Sequence, residues 1–315
     1  MYFDTHAHYD SGAFNADRLE LLAGMPQQDV ALIVNPGCDL ETSRTVVELA
    51  DRFPFVYAAV GVHPSDCGPW QDSWVDELKA LAAHPKVKAI GEIGLDYYWK
   101  ENPPKEFQQM VFHRQMELAQ ELRLPVIIHD REAHHDCLEV VRSHPQVTGV
   151  YHCYSGSLED AKVLVKLEWM LSFTGTITYK NARKALEVID WLPMDRIMIE
   201  TDSPYLTPEP FRGKRNDSRY LPYVIENTDH ADKVFLGEIG DEMLTAMDDI
   251  GVHGLSIWES GFRNLTNSVR PVNSLADVSG LRIRVMENPV HQALWMALGA
   301  DAVPMNWSDA YTGMQ

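Results

Sequence analysis

The sequence predicts an α/β protein built as a (β/α)8 TIM barrel, and three observations support that expectation. Short apolar runs rich in β-branched residues alternate with longer amphipathic stretches. The runs are nearly continuous in apolar character, the mark of strands buried on both faces of a parallel sheet. Eight of them pass before the pattern changes, the number that closes a barrel. The competing architecture, an open doubly wound sheet, lacks the GxGxxG that would follow its first strand.

In order, the runs are MYFDTHAH, VALIVNPG, FVYAAVGVHP, VKAIGEIGLDYY, LPVIIHD, VTGVYHCYSG, WMLSFTGTI and RIMIETDSPY. Helical periodicity fills the gaps, as in LETSRTVVELADRF, WVDELKALAAH, KEFQQMVFHRQMELAQELR and LEDAKVLVKL. A polar loop, TPEPFRGKRNDSRY, follows the eighth run, and YLPYVIEN reads as the start of a closing helix. The stretch from DHADKVFL onward does not continue the barrel rhythm. The expected domains are therefore 1–227 and 228–315, joined with no Gly/Ser- or Pro-rich linker.

Composition sets the class. Hydrophobic residues make up 45% and charged residues 23% of 315, as in a soluble globular protein. No apolar run is long enough to cross a bilayer. The start runs from Met1 into a strand with no basic n-region or apolar h-region. The four cysteines, Cys38, Cys67, Cys137 and Cys153, lack CxxC spacing. Together these predict a cytoplasmic protein with reduced thiols, no membrane association and no obligate protein partner. A formal net charge of −19 argues against general affinity for nucleic acid, which normally needs a basic surface. It does not exclude an enzyme of phosphodiesters, because bound divalent cations and a local basic loop offset the field at one site.

Ionisable residues gather where the predicted strands end, the face on which barrels of this kind place their sites. His6 and His8 end the first run, two apart and so on one face of a strand. His63 ends the third, Glu92 lies in the fourth, His129 ends the fifth, His152 the sixth and Asp202 the eighth. Each has an ordinary structural role open to it: a core histidine satisfied by a carbonyl for His129, a turn cap for Asp202, a thiol neighbour for His152. Glu92 is flanked by apolar residues, where a lone carboxylate is costly. Four imidazoles and two carboxylates exceed the needs of one tetrahedral ion and suit two ions sharing a bridging carboxylate.

FDTHAH, GVHP, GEIGLDYY, PVIIHDR, HCYSG, ETDSPYL and PFRGKRN stand in the order and spacing of the TatD family of metal-dependent deoxyribonucleases, which residues 1 to about 227 resemble. The resemblance implies a barrel of the metal-dependent hydrolase type. It implies that His6, His8 and Asp202 hold one ion, His129 and His152 the other, with Glu92 bridging and Asp202 the base for an activated water. Two divalent ions, Mg, Mn or Zn, are the expected cofactors, since mixed His/carboxylate sites accept all three. DNA or an oligonucleotide is the expected substrate. Arg212, Lys214 and Arg215 of RGKR are placed to meet a phosphate beside the scissile one, with His63 and Tyr154 at neighbouring exits as further substrate contacts. His113, His134 and His135 lie in helical stretches and are read as surface residues.

From about residue 229 the chain resembles the interior of a TRAP-type (DctP-like) periplasmic solute-binding protein, on DHADKVFLGEIGDEML, GLSIWESGFRNLTNSVRPV and DVSGLRIRVMENPVHQALWMALGADAVPMNWSDAYTGMQ. That resemblance implies a carboxylate-binding arginine at Arg284, with Arg263 as helper, because a guanidinium fork matches a carboxylate. It covers a fragment, an α/β segment standing where the TatD family has its closing helices, and it predicts a chimera. The expected function is two-metal hydrolysis of phosphodiester bonds, a DNase of 3′-exonuclease type. Hydrolysis of a small amide or lactone is the alternative on the same barrel. Organic-acid binding by the C-terminal segment is another. The GEIGD near Gly237 echoes the fourth run but has no accompanying strand-end histidines, and no metal role is expected of it.

Overall fold

Eight parallel strands follow one another around the first unit of a computed structural model, which describes residues 2–224, 269, 275–285, 292 and 295–305. They are β1 (Tyr2–Asp4), β2 (Val30–Pro36), β3 (Val56–Val60), β4 (Val87–Asp96), β5 (Val126–Arg131), β6 (Gly149–Tyr151), β7 (Met170–Phe173) and β8 (Ile197–Ile199). Each pairs with the next in sequence order, as the barrel expectation requires. Seven α-helices cover them among the described residues: α1 (Arg18–Ala23), α2 (Leu40–Arg52), α3 (Ser73–Ala82), α4 (Lys105–Leu122), α5 (His134–Ser143), α6 (Leu158–Lys166) and α7 (Arg183–Trp191).

Local sequence accounts for the helices. In α2 the Asp39 side chain accepts from the Thr42 amide while the Thr42 side chain answers at the Asp39 amide, a reciprocal cap. Its buried face, Leu40, Ser43, Val46, Leu49 and Ala50, follows the helical period. The Ser157 hydroxyl accepts from the Asp160 amide to start α6. The expected closing helix at YLPYVIEN is different where described. Ser218–Val224 is a 3-10 helix with Pro222 inside it, and a proline, lacking an amide proton, cannot serve an α-helix interior. The rest of that segment lies outside the described residues.

The barrel closes between its first and last strands just beyond their named ends. Thr5 donates its amide to Ile199 O at 3.3 Å, Asp202 to His6 O at 2.9 Å, and His8 to Ser203 O at 2.7 Å. Ala7 and Ser203 form a parallel bridge there. Behind this seam Asp4 is fully buried. Its carboxylate accepts from the Thr201 amide at 2.9 Å and from the Thr201 and Ser218 hydroxyls, each at 2.6 Å. One side chain thus ties β1, the exit of β8 and the 3-10 turn together.

A separate apolar cluster takes one side chain from each of β2 to β8: Val34, Ala59, Ala89, Ile127, Val150, Met170 and Met198. These are the barrel interior. Alanines on β3 and β4 stand opposite long methionines on β7 and β8, so total volume stays matched to the space. The larger cluster, including Ile33, Val60, Ile90, Ile128, Tyr151 and Leu171, packs the outer sheet face against the helices.

The chain divides into units Met1–Glu259 and Ser260–Gln315. The boundary expected near Asn227 lies outside the described residues. In the second unit, β9 (Arg282–Val285) and β10 (Asp301–Pro304) pair in parallel over a small core of Val278, Leu281, Ile283, Val285, Ala300 and Ala302. No helix among the described residues is long and apolar enough to cross a membrane.

Candidate metal centre

Period-two geometry builds the site directly on the interior layer. Two residues beyond Ile127, Val150, Met170 and Met198 stand His129, His152, Ser172 and Glu200, each on the same face of its strand. An apolar layer is therefore followed by a polar one at the carboxyl ends of the strands. His6 and His8 flank the Ala7–Ser203 bridge, and Asp202 follows β8 on the other side of the same seam. Asp202 adopts a left-handed backbone, φ 53°, which aspartate tolerates better than most residues.

Glu92 occupies the centre. Its Oε1 lies 2.9 Å from His129 Nδ1, 3.0 Å from His152 Nε2 and 3.7 Å from His63 Nε2. Its Oε2 lies 3.3 Å from His6 Nε2 and 3.4 Å from His8 Nε2. Asp202 Oδ1 is 3.8 Å from His6 Nε2 and 3.6 Å from His8 Nε2. The six residues expected to meet do meet, and the two oxygens of one carboxylate face two different histidine pairs. His63, expected as a substrate contact, is part of the same cluster.

Burial and charge shape the titration of these groups. For Glu92, burial favours the neutral form, but His152, His6 and His63 outweigh it and hold the carboxyl well below its ordinary range. Burial, with His129 beside it, pushes His63 down to about 3, so its imidazole is neutral. Burial also opposes charge on His152, yet Glu92 and Glu200 carry its pKa well above the usual value. Burial raises Asp202 in spite of the neighbouring His152, His6 and His8.

Two carboxylates join the site that the sequence reading did not single out. Asp96 Oδ2 is 3.1 Å from His129 Nε2, and Glu200 Oε1 is 3.3 Å from His152 Nδ1. Glu200 also accepts from the Cys153 amide at 2.6 Å and from the Ser172 hydroxyl at 2.6 Å. The first bond holds Cys153 in a left-handed backbone, φ 45°. Both acids lie in GLD and IETD at the ends of β4 and β8, the same signal that found Glu92 and Asp202. Glu200 stands two residues before Asp202, the stronger candidate on that strand.

Residues expected at the rim are placed variously. Tyr154 is buried, its hydroxyl donating to Ser157 O at 2.7 Å. Arg215 grips Asp17 with two nitrogens, at 2.8 and 2.6 Å, and donates to Ala13 O. Arg212 is exposed and stacks over Tyr179 at 4.2 Å, and Lys214 is exposed near the Phe211 ring. Arg284 on β9 donates to Met305 O. Arg263 and the GEIGD string lie outside the described residues.

The donor set fits divalent cations. His6 Nε2 and His8 Nε2 approach to 3.0 Å while both face the same two carboxylates. His6 Nδ1, buried, has no partner. Three groups place ligand atoms within 4.8 Å of one another: His6, His152 and Asp202; His6, His8 and Glu92; His63, Glu92 and His129. Lone pairs crowded this closely are repulsive unless positive charge lies among them.

A parallel barrel with such a cluster at its strand ends is a metal-dependent hydrolase in class. A family model described as TatD related DNase matches residues 3–244, and a second, described as bacterial extracellular solute-binding protein, family 7, matches residues 187–315. A Bacillus subtilis protein described as uncharacterized metal-dependent hydrolase YabD is 43% identical over 228 residues, 72% of this chain and 89% of that one. The Musicola paradisiaca 3′-5′ ssDNA/RNA exonuclease TatD is 29% identical over 263 residues, 80% of this chain and 99% of the other. The crystal structure of the TatD homologue YjjV from Escherichia coli K12 superposes with a TM-score of 0.69 at 32% identity, covering 79% of this chain and 95% of that one. The chain belongs to the TatD-related DNase family.

Proposed function

We propose that this protein hydrolyses phosphodiester bonds in DNA, releasing nucleotides from the 3′ end. The observation that carries the reading is the split of Glu92, one oxygen toward His129 and His152, the other toward His6 and His8. Glu92 would contribute to the holding of two divalent cations, with one oxygen toward each histidine pair. His6, His8 and Asp202 would hold one, and His129 and His152 the other. When bound, divalent cations acidify water and offset charge building on phosphoryl oxygens.

The chain's own groups supply the rest. Asp202, its basicity raised by burial, is the acceptor for the proton of the attacking water. His63 Nδ1 accepts from the Ser65 amide at 3.1 Å, which leaves the proton of the neutral ring on Nε2. That N–H faces the centre and donates to a substrate oxygen. Asp96 and Glu200 orient His129 and His152 from behind. Arg212 and Lys214 face solvent, free to meet a phosphate flanking the scissile one. The Musicola relative, named for 3′-5′ exonuclease action on single-stranded DNA and RNA, supports the substrate class.

The test is hydrolysis of a 3′-recessed and a single-stranded oligodeoxynucleotide with Mg, Mn or Zn, with and without chelator, beside simple amides and lactones. Stepwise, chelator-sensitive loss of 3′ nucleotides supports the reading. Turnover of amides alone moves the barrel to amide hydrolysis and ends it.

A further inference from the structure

Exposed aromatic side chains stand at both poles of the centre. Tyr98 and Trp99, 52% and 47% exposed, begin the loop after β4, and Tyr205, 59% exposed, follows β8. Large aromatics left in water at a site's mouth invite a ligand with flat faces. Two of them are fastened to a carboxylate of the site, and the third to the backbone of another acidic residue there. The Tyr98 and Trp99 amides donate to Asp96 Oδ1, at 3.0 and 3.4 Å, while Asp96 Oδ2 touches His129. The Tyr205 amide donates to Asp202 O at 2.9 Å. The Arg131 guanidinium, at the end of β5 two residues past His129, lies over the Tyr98 ring at 4.2 Å and the Trp99 ring at 5.5 Å.

We propose that Tyr98, Trp99 and Arg131 on one side and Tyr205 on the other form a stacking platform for the unpaired bases of a single-stranded substrate. This rests on the phosphodiesterase reading and names the feature of the substrate that is held. A net charge of −19 denies the protein the broad cationic surface by which most nucleic-acid enzymes gather phosphate. Ring stacking needs no such field and accepts any base, since every base has a π face. The guanidinium over Tyr98 adds a planar cation to the same surface. Bases inside a duplex are hidden from such a platform, so an unpaired end is favoured.

The experiment uses the full chain and a fluorescein-labelled ten-nucleotide oligodeoxythymidylate, with binding read by anisotropy in EDTA, where no cleavage interferes. An abasic strand of equal length is the comparison. Trp99→Ala and Tyr205→Ala are each expected to weaken thymidylate binding about tenfold, and Trp99→Phe to restore most of the loss. The loss on the abasic strand should be several-fold smaller. Equal affinity in the alanine variants overturns the platform, as does an abasic strand bound as tightly as thymidylate, or no thymidylate binding by the wild type. Melting curves of each variant exclude unfolding as the cause. Failure of the phosphodiesterase reading is separately visible, as no release of nitrophenol from bis(p-nitrophenyl) phosphate with any of the three metals.

Discussion

Glu200 holds His152 by its Nδ1 at 3.3 Å, while the opposite ring nitrogen of His152 stands 3.0 Å from Glu92. The imidazole is thus clamped between a central acid and a supporting one, and the supporting one is fully buried. Partners of this kind fix the tautomer and raise ligand basicity, and their loss typically costs 10–100-fold in metal affinity. Glu200→Gln, which keeps the shape and loses the charge, is expected to weaken metal binding by about that factor. Calorimetric metal titration checks it, and unchanged affinity removes Glu200 from the site.

Asp202 separates holding a cation from moving a proton. Asp202→Asn is expected to lower kcat by roughly 10²–10⁴-fold, the usual worth of a positioned base. Elemental analysis of the purified variant shows whether metal remains. Full activity with full metal content assigns the base elsewhere.

Gly94 has φ +139°, and a Cβ built there would lie 2.0 Å from His129 O. No rotamer change relieves a clash with backbone. Gly94→Ala should cost about 2 kcal/mol or more from the dihedral and the displaced strand. Thermal unfolding reads the stability, and activity should fall further than stability alone explains, because the strand pushed away carries His129.

Cations should stabilise the fold as well as serve chemistry. At a free concentration a hundred times Kd, one bound ion adds about 2.7 kcal/mol. A melting temperature that rises with added metal and returns with chelator is the expected result. His6→Ala should flatten that response.

One histidine outside the centre gives a pH signature. His134 Nδ1 is 2.9 Å from Asp130 Oδ2, and that bond, against some burial, raises its pKa. A raised folded-state pKa means the contribution is complete below the unfolded value near 6.5 and is lost as pH climbs through the folded value. NMR titration should place His134 above 6.5, and Asp130→Asn should bring it down. A His134 midpoint that ignores Asp130→Asn assigns the shift elsewhere.

Much of this was legible in the sequence because barrel strands announce themselves. Near-continuous runs such as VALIV and PVIIH leave no other burial, and period two then fixes which residues crown the interior. His129 and His152 follow from Ile127 and Val150 by that rule. Glu200 follows Met198 by the same rule, beside the stronger candidate Asp202, whereas Asp96 lies seven residues past Ala89 and comes to the inner face only through the register irregularity between Ile90 and Ile93. Tyr154 illustrates the opposite limit: its sequence neighbourhood put it at the rim, while the turn to Ser157 folded its hydroxyl inward. Arg215 is expected from the sequence to meet a phosphate, and only the fold brings Asp17 to it. Such pairings join residues far apart in the chain, and no local pattern encodes them.

The seam joining Asp4 to Thr201 and Ser218 has a consequence for biosynthesis. His6 and His8 leave the ribosome first, yet their facing acid, Asp202, emerges only after all eight barrel strands have been made. Until then the nascent barrel is an open curl, and no cation can meet the full set of donors. Premature termination anywhere upstream of the eighth barrel strand therefore yields a chain that lacks Asp202 and cannot assemble the full donor set.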